Sequence, residues 1–112
     1  MNEELLINSY LKKLTKNNPS SLNLNDDVFF DKNKKLVISV DTYNEGIHFL
    51  NFNKPDLVIR KIIRSSISDI YAKGVKPNYF FLSGSGNKKH FTKKNMSLIN
   101  KSLSNEQNRF NI

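Results

Sequence analysis

The chain has 112 residues, no cysteine, and a net charge of +8 from 18 basic and 10 acidic side chains. That is one domain's worth of sequence, able to bury roughly 65% of its unfolded surface without covalent staples. The lack of cysteine excludes disulfides and thiolate metal sites and fits a reducing compartment, and no apolar run approaches the ~20 residues a bilayer span requires. The opening Met1-Asn2-Glu3-Glu4 shows no basic region leading into an apolar run, so no secretory signal is expected and the chain reads as a cytoplasmic protein without a membrane partner.

A basic chain can bind nucleic acid, membrane surface or phosphorylated small molecules. Here the excess is scattered, at Lys12, Lys13, Lys16, Lys32, Lys34, Lys35, Lys88, Lys89, Lys93 and Lys94, and reads as solvated lysine. Common RNA readers stack bases on aromatics beside the charge. Phe29, Phe30, Tyr79, Phe80 and Phe81 instead sit within apolar segments, where they read as core, so no nucleic-acid partner is expected.

In chain order, residues 3–16 read as a helix capped by Asn2. Glu3 and Glu4 lie at its positive end and Lys12, Lys13 and Lys16 at its negative end. Ile7, Tyr10, Leu11 and Leu14 recur at helical spacing and predict a buried stripe. Pro19 lies in the break that follows. Two strands, about 27–31 and 36–42, are predicted across the polar turn Lys32-Asn33-Lys34-Lys35. A helix from about Asp56 to Lys73 follows Pro55, with Asp56 as cap, Ile59, Ile62, Ile63, Ile67 and Ile70 as its apolar stripe, and Gly74 as its stop. Residues 78–83 read as a third strand and 91–109 as a weaker helix. The α-β-β-α-β-α order predicts one α+β domain over 1–112, with helices packed on a mixed or antiparallel sheet.

The carboxylates carry the chemical signal. A four-residue hairpin turn sets Asp31 opposite Leu36 and Asp26 opposite Asp41, and a register shift brings Asp27 there instead. Either way Asp26, Asp27 and Asp41 gather at one end of the hairpin, with Ser39 and Asp41 on one strand face. Two bare carboxylates about 4 Å apart repel by about 4 kcal/mol at an effective dielectric near 20. A cation relieves that repulsion, and an all-oxygen set selects Mg²⁺ or Ca²⁺ over zinc. Asp69 falls about 20° from Ile62 around its helix, at the edge of the apolar stripe, where a charge needs a partner. That partner is a shared cation, a salt bridge to Lys73, or water at a polar boundary. Asp26 and Asp27 also suit an ordinary turn before a strand. His48, beside Phe49 in a loop, reads on its own as packed or exposed, and Gly46 as a tight turn. No nucleophile triad is present, Gly84-x-Gly86 is too short for a phosphate loop, and no catalytic residue can be named.

Three segments together resemble a known family: Asp26-Asp27, then Ser39-Val40-Asp41-Thr42 with Glu45-Gly46-Ile47-His48-Phe49, then Ser68-Asp69 followed by Ala72 and Gly74. Their order and spacing, from about Asn25 to Pro77, are similar to the N-terminal domain of the thiamine-monophosphate kinases, in the AIR-synthase-related superfamily. Other members of the superfamily, the purine cyclo-ligase and selenophosphate synthetase, lack the Glu-Gly-x-His-Phe signature. The resemblance implies that Asp27, Asp41 and Asp69 bind Mg²⁺ bridging to ATP and substrate phosphate, with Ser39 and Val40 assisting. It implies that His48 contacts thiamine monophosphate, that the γ-phosphoryl of ATP passes to that substrate to give thiamine diphosphate, and that the domain forms a homodimer through its sheet. The chain departs from the family at Asn25, usually Gly; at Val40, usually Thr, so that a metal contact there uses the backbone; and at Ser66, usually Asn. Family members continue into a Gly-Gly-Asp strand with another metal ligand and a C-terminal domain, so residues 1–112 read as truncated before both, and the isolated chain is expected to be inactive. The alternatives are a non-catalytic dimerisation module of the same fold, another ATP-dependent enzyme of the superfamily, and a basic nucleic-acid-binding domain.

Overall fold

A computed structural model describes all of residues 1–112. Two long helices form its centre: α2, Pro55–Tyr71, and α3, Lys93–Phe110, following a short α1 at Glu3–Leu6. The strands β1, Phe29–Asp31, and β2, Leu36–Ile38, form an antiparallel hairpin.

α2 forms because isoleucines recur at three- and four-residue spacing and Pro55, at its first turn, needs no hydrogen-bond acceptor for its nitrogen. The position before Pro55 is Lys54, which makes no side-chain cap, so Asp56 lies inside the first turn rather than capping it. Gly74 stops the helix at φ +72°, donating its N–H to the Tyr71 carbonyl at 2.9 Å. α3 starts at Thr92, whose Oγ1 accepts the Asn95 N–H at 3.2 Å, and ends at a left-handed Asn111.

The core is the seam between these helices. Ile59, Ile63 and Ile67 of α2 meet Ile99 of α3, with Phe52, Phe80, Leu103, Phe110 and Ile112 around them. Burying each isoleucine stabilises the fold by about 1.5–3 kcal/mol. Two polar ties cross the same seam. Arg64 grips Glu106 through its Nε and Nη2, at 2.9 and 3.1 Å, and Ser102 Oγ donates to the Asp56 carbonyl at 2.8 Å. Glu106 is 3% exposed, so the Arg64 pairing is what permits its burial.

The hairpin register matches the expected one, with Asp31 opposite Leu36 and Phe29 opposite Ile38. The ladder is shorter than predicted, since 39–42 carry no strand pairing. Three further expectations are corrected. Residues 78–83 form no strand: they have no partner to supply ladder hydrogen bonds, and Phe81 is 100% exposed. The fold therefore contains a two-stranded sheet, and its helices pack chiefly on each other rather than on a sheet. The N-terminal segment is helical, with Asn2 Oδ1 capping the Leu5 N–H at 2.8 Å, but passes from α to π at Ile7–Leu11 and to 3₁₀ at Lys12–Thr15. It buries no residue, so Tyr10, Leu11 and Leu14 form no buried stripe. The radius of gyration is 16.6 Å and the extents are 47 × 35 × 18 Å, against about 13 Å for a compact chain of this length. The molecule is a thin slab with a single seam.

Candidate functional site

Three chain segments meet beside the C-terminal half of α2: the turn before β1, the residues after β2, and the helix itself. Ser39 Oγ lies 3.3 Å from both the Asp27 carbonyl and Asp69 Oδ2. One hydroxyl proton serves two acceptors there, so the serine sits between the backbone of one acidic residue and the carboxylate of another. Asp41, two residues on, faces the charges of Asp69 and Asp27. Its carboxyl is held above its ordinary value of 3.8. Partial loss of water is the first cause, although the residue remains largely open to solvent, and the negative charges of Asp69 and then Asp27 follow. A hydrogen bond from Tyr43 opposes the shift.

Asp26 does not join them. Its carboxylate takes a salt bridge from Lys73, which holds it below 3.8. Lys73 thus pairs with Asp26 rather than with Asp69, the partner open to it from sequence. Asn25, Asp26, Asp27, Asp69, Ala72 and Lys73 line a polar cleft of about 310 Å³. Val40 points its side chain into solvent, 83% exposed, leaving only its backbone to offer.

The oxygen donors suit a hard cation, but no three Asp, Glu or His side chains close around a single point. Mg²⁺ keeps several waters and binds through one or two carboxylates, so an open set facing a cleft fits that ion better than the full cage Ca²⁺ prefers. Asp27, Asp41 and Asp69, with the Ser39 hydroxyl between them, are the groups that would hold it.

His48 stands in a separate tight loop. The Asn44 N–H donates to its Nδ1 at 2.7 Å, which leaves the proton of the neutral ring on Nε2. Gly46, at φ +81°, donates to the Phe49 carbonyl, the His48 N–H to the Asn44 carbonyl at 2.9 Å, and Lys61 Nζ to the His48 carbonyl. Tyr43 connects this loop to the carboxylates: its ring meets His48 edge-on at 5.5 Å and its hydroxyl lies 3.1 Å from Ser66 Oγ on α2. Sequence reasoning missed Tyr43, although its position two residues after Asp41 is a period-two signal. It also missed Lys61 and the pairing of His90 with Glu45 at 3.0 Å, which no local spacing announces.

Because folding raises Asp41's proton affinity, its protonated form stabilises the fold fully below 3.8, and that contribution is lost as pH rises through the raised value. Asp26 has the opposite sign, contributing above 3.8 and losing its contribution below it. Without divalent cation, the melting temperature is expected to rise as pH falls from neutrality toward 3.8 and to drop below it. Asp41→Asn should remove the rise; a wild-type curve flat between neutrality and 3.8 would show that the carboxylates do not repel.

With this geometry in view, the sequence comparisons define the class. Residues 24–112 match the family described as AIR synthase related protein, N-terminal domain, and the chain belongs to that family. It is similar to proteins named thiamine-monophosphate kinase. It is 37% identical over 76 residues to that of Caulobacter vibrioides, covering 65% of this chain and 22% of the relative. It is 40% identical over 50 residues to that of Aquifex aeolicus, covering 45% and 16%. It is 34% identical over 86 residues to that of Buchnera aphidicola subsp. Schizaphis graminum, covering 73% and 27%. The chain thus spans about a quarter or less of the length of these curated relatives. No solved structure matches it. No helix is long and apolar enough to cross a membrane.

Proposed function

We propose that this chain is the metal-binding N-terminal part of a thiamine-monophosphate kinase, an enzyme that moves the γ-phosphoryl of ATP onto thiamine monophosphate to give thiamine diphosphate in the cytoplasm. The observation that carries the reading is the meeting of Asp27, Ser39, Asp41 and Asp69 from three separate segments. The names of the similar proteins supply the substrates.

In this reading Asp27, Asp41 and Asp69 hold Mg²⁺, with the Val40 backbone and Ser39 beside them. When bound, Mg²⁺ neutralises phosphate oxygens, which is most of what phosphoryl transfer demands of a protein. Ser39 fixes Asp69 through its hydroxyl, and Tyr43 holds the strand end to α2 through Ser66. His48, with its Nε2–H free of the Asn44 contact, offers a donor to thiamine monophosphate. The sheet has two open edges, and its Phe29, Leu36 and Ile38 are exposed, which supports a homodimer formed through the sheet.

Titration with Mg²⁺ at neutral pH tests the site. At ten times its Kd the ion adds about 1.4 kcal/mol of stability, a rise of about 5 °C or more in melting temperature. Asp41→Asn should raise the ion-free melting temperature by removing one repelling charge and should blunt the response to Mg²⁺. An unchanged wild-type melting temperature in millimolar Mg²⁺, with and without ATP, would remove the metal-site reading for this chain.

A further inference from the structure

The structure assigns His90 a role: we propose that it is a positioning residue, which holds the Asn44–Phe49 loop against the start of α3 and thereby sets the direction of His48. The proposal rests on the reading of His48 as a substrate contact, but the positioning itself is a property of the unliganded chain.

His90 is anchored on its own side. Its Nδ1 accepts the Asn87 N–H at 3.1 Å, and its carbonyl accepts from Asn95 Nδ2 at 3.0 Å, where Asn95 belongs to the capped first turn of α3. Gly86 packs so closely that a Cβ there would stand 3.0 Å from His90 Nδ1 and 3.2 Å from Cγ. The local backbone is therefore shaped around this ring, and the ring is tied to a helix that the Ile99 seam makes rigid.

With Nδ1 occupied as an acceptor, the remaining proton lies on Nε2. That atom is 3.0 Å from Glu45 Oε2, across 45 residues of sequence. The Glu45 backbone sits between Asn44, whose N–H and carbonyl both engage His48, and Gly46, whose N–H closes the loop onto Phe49. A second, apolar tie runs in parallel: the His90 ring meets Phe52 edge-on at 5.7 Å, and Phe52 meets Phe49 at 6.2 Å. One imidazole therefore holds the loop directly at Glu45 and, through Phe52, at Phe49. The opposite side has the flexible Lys61 ammonium on the His48 carbonyl and the edge of the Tyr43 ring against His48, both facing α2 rather than α3. Without His90, the loop keeps its internal hydrogen bonds but loses its reference to α3.

Amide hydrogen exchange and ¹⁵N spectra of the 112-residue chain test this without any substrate, so substrate-binding failures do not bear on it. In His90→Ala, exchange at the Gly46 and His48 amides is expected to quicken about tenfold, the loss of one anchoring hydrogen bond. The His48 Nδ1 resonance should move toward that of a free imidazole, while the Ile63 and Ile99 amides stay within about twofold of wild type. His90→Gln, whose side-chain amide places an N–H donor near the same atom, should restore both loop signals. An unchanged loop in His90→Ala overturns the proposal. So does quickening that extends equally to Ile63 and Ile99, or a glutamine variant that behaves like alanine, since either reduces His90 to general packing. Loss of thiamine monophosphate binding in a wild-type chain with an ordered loop would instead count against the role given to His48.

Discussion

Incubated with ATP, Mg²⁺ and thiamine monophosphate, the 112-residue chain is expected to release no measurable thiamine diphosphate. Phosphoryl transfer depends on donor and acceptor being held in line within a site that excludes water. The slab is 18 Å thick, Asp41 lies open to solvent, and the cleft by Asp27 and Asp69 is lined by just six residues of this chain. Positioning of two reactants is worth about 7–11 kcal/mol of barrier, and each 1.36 kcal/mol is tenfold in rate, so its loss costs about five orders of magnitude or more. The assay is direct product detection with the purified chain. Robust turnover that disappears in Asp41→Ala would show that this domain alone can build the closed site.

Ile63→Ala is expected to be the most damaging single truncation of the fold. Ile63 is the most buried of the four isoleucines in the seam, and with so few buried residues nothing else in the slab offsets its loss. Truncating a buried isoleucine to alanine costs about 2–5 kcal/mol, through lost transfer energy and the cavity left behind. For a domain of this size that lowers the melting temperature by about 10 °C or more. Because the seam also sets the angle of α2, the Mg²⁺ response should fade with the fold. A drop of under about 3 °C in thermal melting would mean that stability resides outside the α2–α3 contact.

Much of the local structure is legible in the residues because its causes are local. The isoleucine spacing of α2, the Gly74 stop, the Asn2 cap and the hairpin register each follow from interactions within a few positions. The carboxylate positions could be named for the same reason, since Ser39 and Asp41 alternate with Ile38 and Val40 and Asp69 lies at a stripe edge.

Choices made between distant segments were not legible. A short aromatic-rich run bounded by polar residues, as 78–83 is, becomes a strand only if a neighbour supplies hydrogen bonds, and none does here. The apolar stripe of the N-terminal helix was correctly spaced but found no surface to cover. Asp26 and Asp27 are adjacent and chemically alike. Lys73, 47 residues from Asp26, takes that carboxylate and leaves the other to face Asp41 and Asp69. Likewise Glu45 meets His90, and Arg64 makes a buried carboxylate of Glu106, across more than 40 residues. The sequence alone determined where α2 stops and which of its faces is apolar, because propensity and periodicity act over one or two turns. Only the tertiary structure decided which charges pair and which are left to repel, because an ion pair depends on distance in space and carries no period along the chain.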